Sequence, residues 1–265
     1  MLDSLSPARR HFVLVLVVLA GVAVAAVLIM VAVTRESPVE PVAQDQLGPV
    51  LLVPGYGGNT TSLGRLATTL QATGRDVTIV ELAGDGRGDL RQQAGVLERA
   101  ADQALHRTSA SSVDVVGYSA GGVIARLWVK DFGGGGVARR VLTLGSPHHG
   151  TDLAGVASDI TPDTCPEACL QLAPESDFMR ALNAGDDTPG GPLWISIWTT
   201  DDEVVTPPTS ARLDGALNFS LQSICPRAAE LTHSGLPTDA SVIAIAVQEL
   251  DRSTPSTPLA SVCVP

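Results

Sequence analysis

The chain has 265 residues, 45% of them hydrophobic, and a formal net charge of −11. That size suits one sizeable domain with an appendage, and the acidic balance, without a cluster of Lys and Arg, argues against a nucleic-acid partner. Aromatic residues at 3% also disfavour a groove that stacks bases or sugars.

Residues 1–11 include Arg9, Arg10 and His11 and precede an uncharged apolar run over 12–33. That run is long enough to span a bilayer, and its positive flank places 1–11 in the cytoplasm. A transmembrane signal-anchor is expected. The alternative is a cleaved signal peptide, which the length of the run and the lack of a small-x-small site beyond it disfavour. Residues 34–48, with Glu36, Pro38, Glu40, Pro41 and Asp45, form a linker, and 49–265 form the catalytic domain. Both readings export that domain, either as the extracytoplasmic part of a single-pass membrane protein or as a secreted protein.

Cys165, Cys169, Cys225 and Cys263 all lie in the exported part. An even count in an oxidising compartment predicts two disulfides. Proximity favours Cys165–Cys169 and leaves Cys225–Cys263, although three pairings are open. His and Cys lack compact metal-site spacing, so no metal and no cofactor is expected.

After the linker, 49–53 reads as a short buried strand, broken by Pro54-Gly55-Tyr56-Gly57-Gly58. Leu63, Leu66, Ala67 and Leu70 recur at helical spacing. A strand over 76–82, a loop over 84–88 and a helix over 90–105 follow. The run 113–116 is the third strand and 141–144 the fourth. This alternation predicts a mostly parallel six-stranded sheet with helices on both faces and ligands at the carboxyl ends of the strands. The stretch 146–192 is loose in pattern, with one weak helix around 178–182. It is a candidate lid or an ordinary surface insert. A fifth strand over 193–198 runs into Thr199-Thr200-Asp201-Asp202-Glu203, a sixth covers 218–221, and an apolar helix over 239–250 closes the chain.

Gly117-Tyr118-Ser119-Ala120-Gly121 sits between the third strand and the helical pattern of Val123, Ile124, Leu127 and Trp128. A serine on such a strand-to-helix turn is set in a nucleophile elbow, where the glycines let backbone pass closely. The pentapeptide alone is a weak signal, and context decides it. Ser119, then an acid, then His233 is the chain order of a hydrolase triad. Asp201 and Glu203 rival Asp202 as the acid, and His149 is a distant rival to His233.

From about Pro49 onward the chain resembles the α/β-hydrolase superfamily and, within it, the small bacterial secreted lipases and esterases of the lipase class 2 type. The likeness rests on Val53-Pro54-Gly55-Tyr56-Gly57-Gly58, Gly117-Tyr118-Ser119-Ala120-Gly121-Gly122, Thr143-Leu144-Gly145-Ser146-Pro147-His148-His149-Gly150-Thr151, Thr200-Asp201-Asp202-Glu203-Val204-Val205 and Leu231-Thr232-His233-Ser234-Gly235. It implies a minimal α/β-hydrolase fold and an ester hydrolase acting on acyl esters or lipids. Ser119 is then the nucleophile, His233 the base and then acid, and Asp202 the orienting carboxylate. The main-chain N–H groups of Tyr56 and Ala120 would form the oxyanion hole. Relatives often carry His-Gly where this chain has Pro54-Gly55. Tyr118 is a candidate wall of the acyl pocket. Rival activities are acyl transfer or amide hydrolysis at the same site, or a non-catalytic envelope binding protein. A monomer is expected.

Overall fold

A computed structural model describes residues 11, 15–26, 39–160, 164–228 and 230–264. The chain divides into two units, 1–38 and 39–265. In the first, residues 15–26 are helical. The membrane-spanning helix expected over 12–33 falls partly outside the described residues, and among those described no helix is long and apolar enough to cross a membrane.

In the second unit, β1 (Val50–Val53), β2 (Val77–Ile79), β3 (Val113–Tyr118), β4 (Ala138–Leu144), β5 (Leu193–Trp198) and β6 (Leu217–Ser220) form one sheet in the order β2-β1-β3-β4-β5-β6. Every neighbouring pair is parallel. A parallel sheet needs cover on both faces, which is why its inner strands are continuous apolar runs; β1 is buried at all its positions. Side chains alternate between two cores. Leu51, Val53, Val113, Val115 and Val141 enter one, and Val50, Leu52, Val116, Leu142 and Leu144 the other.

Helices α1 (Gly64–Ala72), α2 (Leu90–Thr108) and α3 (Ala120–Asp131) follow β1, β2 and β3. The first core is closed by α2, through Leu90, Ala94, Leu97 and Ala101, and by α3. That spacing puts the four on one helical face. Leu66 and Leu70 of α1 close the second core, together with Val242, Ile245 and Ala246 of α8 (Ala240–Asp251). Asp239 starts α8 by accepting hydrogen bonds from the N–H groups of Ser241 and Val242.

Three differences from the expected elements have physical causes. The β2 strand is shorter than 76–82 because it is an edge strand, paired with β1 alone. The β4 strand starts at Ala138 rather than 141 and carries Arg139 and Arg140 into full burial. Their charge is compensated. Asp114 Oδ2 lies 2.5 Å from both Arg139 and Arg75, and the two buried guanidiniums donate to the carbonyls of Leu250 and Glu249 at the end of α8. Cations at a helix C-terminus satisfy its orphan carbonyls and its dipole. Burial, with Arg139 beside it, pushes Arg140 down to about 10, which leaves it charged at neutral pH.

Lastly, among the described residues 146–192 holds three helices rather than one: α4 (Asp152–Ile160), α5 (Glu167–Gln171) and α6 (Asp177–Leu182). The short helix α7 (Leu221–Ile224) follows β6 directly.

Candidate active site

Ser119 takes φ 53° and ψ −126°, an unusual conformation for a residue with a side chain, between the end of β3 and the start of α3. Such strain costs about 1–3 kcal/mol and persists only where the surroundings impose it. Here they do. The Ser119 N–H donates to the Leu144 carbonyl at 2.8 Å, and Gly122 N–H to the Ser119 carbonyl at 3.0 Å. A Cβ on Gly117 would sit 2.5 Å from the Gly122 backbone, and one on Gly121 2.2 Å from the Val53 carbonyl oxygen. The turn closes only because both are glycine.

His233 Nε2 lies 3.0 Å from Ser119 Oγ, and its Nδ1 lies 2.8 Å from Asp202 Oδ2. His233 and Asp202 are both buried. The other Asp202 oxygen accepts from the N–H groups of Val204 and Val205 at 3.0 and 2.7 Å, so the carboxylate cannot swing. Asp201 is exposed, and its N–H donates to Thr199 Oγ1. Glu203 accepts the His233 N–H instead of meeting the ring. The geometry thus sets Asp202 apart from its two neighbours.

The other histidines of 49–265 stand elsewhere. His148 is fully buried with Nε2 3.2 Å from Thr143 Oγ1, and burial, then the Arg126 charge, push its pKa well below the usual value. His149 is partly exposed, with Nε2 3.0 Å from the Arg212 carbonyl oxygen and 3.4 Å from Asp187.

Tyr56 and Ser119 line one cavity of about 190 Å³, with Pro147, Leu153, Ala154, Leu172 and Val205 among its other walls. The Pro54–Gly58 turn is held close to the elbow: Gly58 N–H donates to the Gly55 carbonyl at 3.0 Å, and a Cβ on Gly55 would touch Ser119 Cβ at 3.0 Å. Ala120 opens α3, where helix geometry leaves the first N–H groups without intrahelical partners. Tyr118, expected to wall the acyl pocket, does not line this cavity. Its hydroxyl donates to the His233 carbonyl oxygen at 3.3 Å. A wider groove of about 630 Å³, beside Cys225 and Cys263, is lined by none of Ser119, Asp202 and His233.

Both expected disulfides, Cys165–Cys169 and Cys225–Cys263, are formed, and Cys169 reaches the wall of the Ser119 cavity. Among the described residues, no group of His, Cys, Asp and Glu could hold a metal ion.

A buried residue behind the elbow also escaped the sequence reading. Arg126 of α3 donates to the His148 carbonyl, to Asn183 Oδ1 and to both the carbonyl and the carboxylate of Asp187, so it ties the 146–192 segment to the helix behind the elbow. A charge on the buried face of an apolar helix was the available signal.

The lipase (class 2) family model matches residues 103–212, which include Ser119 and Asp202 but neither Tyr56 nor His233. Over those residues the chain is similar to the class 2 lipases. Among solved structures, Aspergillus fumigatus lipase B superposes with a TM-score of 0.64 at 22% identity, over 78% of this chain and 53% of that one. The chain therefore spans about half the length of that fungal lipase. A Bacillus licheniformis lipase in mature form gives 0.55 at 19% identity, over 69% of this chain and 86% of its own. A gene product from Listeria innocua gives 0.56 at 16% identity, over 81% and 97%. At these identities the likeness is one of fold.

Proposed function

We propose that this hydrolase cleaves acyl esters of lipid character through Ser119, His233 and Asp202. The single observation that carries the reading is His233 standing between Ser119 Oγ and Asp202 Oδ2 at 3.0 and 2.8 Å. A serine hydroxyl is too weakly acidic to attack an ester without a base, and an imidazole is matched to that task near neutral pH.

As Ser119 Oγ bonds to the ester carbonyl carbon, its proton passes to His233 Nε2, and Asp202 balances the imidazolium that forms. The carbonyl electron pair moves onto oxygen, where the N–H groups of Tyr56 and Ala120 receive the charge. Collapse expels the alcohol, which takes the proton from His233 and leaves an acyl group on Ser119. Water then adds to that acyl group with His233 as base, and the carboxylic acid departs as Ser119 regains its proton.

The apolar character of the cavity walls supports an acyl chain as the bound part of the substrate. Leu153 and Val156 of α4 are more than half exposed, and Leu170 of α5 is exposed too, so the 146–192 segment offers apolar surface beside that cavity. This supports a lipid over a small soluble ester. Two disulfides in the catalytic unit, with the apolar run over 12–33, support export, whether tethered or secreted. Hydrolysis rates over a series of esters from acetate to palmitate, with and without an emulsion, test the reading. Preference for long chains and a gain at the interface are expected. Preference for short soluble esters, indifferent to the interface, would contradict the lipid part.

A further inference from the structure

Two dipeptides grip His233. Ser119 and Asp202 meet its ring, and the chain neighbour of each reaches its main chain. The Tyr118 hydroxyl donates to the His233 carbonyl oxygen at 3.3 Å, and the His233 N–H donates to Glu203 Oε2 at 3.3 Å. The Tyr118 ring also stands 5.2 Å from the imidazole, tilted by 32°. We infer that Tyr118 and Glu203 are positioning residues that fix the His233 main chain, so that its ring stays in line between Ser119 and Asp202. This inference rests on the hydrolase reading above.

The need for such anchors follows from the fold. Ser119 sits at the end of β3, its N–H bonded to Leu144 of the neighbouring strand. Asp202 follows β5 in a tight turn closed on its own carboxylate. His233 stands on no strand, and the main-chain bond at its carbonyl comes from the Leu236 N–H, 3.2 Å away in its own turn. It opens a three-residue 3-10 turn, His233–Gly235, within the long connection from α7 to α8, where no ladder fixes the backbone. Two further hydrogen bonds, with residues whose neighbours already belong to the site, add the restraint that this short turn lacks. A base displaced by even an ångström loses much of its rate advantage, since proton transfer demands hydrogen-bond reach.

The chemistry of each partner suits its part. Burial, with the Asp202 and Glu203 charges adding to it, pushes the Tyr118 phenol up to about 12, so it stays protonated and remains a donor across neutral pH. A phenolate there would repel the His233 carbonyl. Glu203 accepts through an oxygen, which glutamine also has, and its side chain is exposed, so it acts through its geometry more than through its charge. The titratable groups facing His233 are Asp202, Glu203 and Tyr118.

Steady-state kinetics of the full chain on a soluble ester test this, using Tyr118→Phe, Glu203→Ala, Glu203→Gln and Ser119→Ala, with thermal unfolding followed alongside. Tyr118→Phe and Glu203→Ala should each lower kcat about tenfold, the factor that one good hydrogen bond is worth, while KM holds within about twofold because ester binding is untouched. Glu203→Gln should recover kcat to within about threefold, since its amide oxygen accepts the same N–H. Unchanged kcat in the Phe and Ala variants would overturn the inference. So would a rise in KM at constant kcat, which would make Tyr118 a wall of the acyl site, or a rate loss that only follows unfolding, with Gln no better than Ala. Turnover retained by Ser119→Ala would overturn the hydrolase reading itself; an inactive Ser119→Ala beside unimpaired Phe and Ala variants would sink the positioning roles alone.

Discussion

Asp202 Oδ2 lies 2.8 Å from His233 Nδ1, and Asp202 Oδ1 is tied to the N–H groups of Val204 and Val205. A carboxylate only accepts, so Nδ1 carries the proton and Nε2 turns its lone pair towards Ser119 Oγ. Asp202→Asn reverses that preference by offering a donor, and kcat should fall by up to about 10⁴-fold, as in comparable triads. Asp201, exposed beside it, should tolerate Asn with kcat within about twofold, as surface changes do. The kinetics of the two variants decide between the neighbours; the reverse outcome would move the acid to Asp201.

The elbow glycines give a second test. Gly121→Ala would drive a Cβ to 2.2 Å from the Val53 carbonyl oxygen and 2.7 Å from that of Pro54. Backbone cannot yield as a side chain can, so β1 and the elbow must part. A stability loss of at least about 1–3 kcal/mol is expected from such overpacking, together with loss of turnover, because the Ser119 turn and the Pro54–Gly58 turn separate. Urea unfolding and an ester assay on the same preparation check both.

Asp114 should matter to stability alone. It is fully buried at the end of β3 remote from Ser119 and compensates Arg75 and Arg139. Breaking a buried pair leaves an uncompensated charge, so Asp114→Asn should cost about 3–5 kcal/mol in chemical unfolding. The folded fraction should keep its kcat. An unmoved unfolding midpoint would show that the carbonyls at the end of α8 satisfy the arginines without it.

His148 predicts an acid-side weakness. Burial lowers its pKa in the folded state, so below about pH 6.5 the unfolded chain takes up a proton that the folded chain refuses. Stability is therefore full above that value and falls as the pH drops towards the folded value, by about 1.4 kcal/mol per pH unit from this group. Above it, His148 contributes no pH dependence. Unfolding free energies measured from about pH 7.5 to about pH 5 should show a shallower acid slope in His148→Gln, by about one proton. Equal slopes would place the acid sensitivity elsewhere.

The motifs of the proposed site were legible because backbone geometry forces them. Gly117 and Gly121 are glycine for want of space, and Ser119 and Asp202 directly follow the carboxyl ends of β3 and β5. The strands read well for a related reason, since inner parallel strands such as β1 are apolar throughout. The helices α4 and α5 did not, because Leu153, Val156 and Leu170 face outwards and break the core-facing period. Arg126, Arg139 and Arg140 did not stand out in the sequence, because their partners Asp187 and Asp114 are distant in the chain. The work of Tyr118 and Glu203 was hidden for the same reason, because their shared target lies beyond β6 in the chain.

The most direct test is intact-mass analysis after reaction with a fluorophosphonate, with peptide mapping of the adduct. One phosphonyl group on Ser119 is predicted, absent from Ser119→Ala and much slower to form in His233→Ala. An adduct on any other residue, or undiminished labelling of Ser119→Ala, would contradict the assignment of Ser119 as the nucleophile.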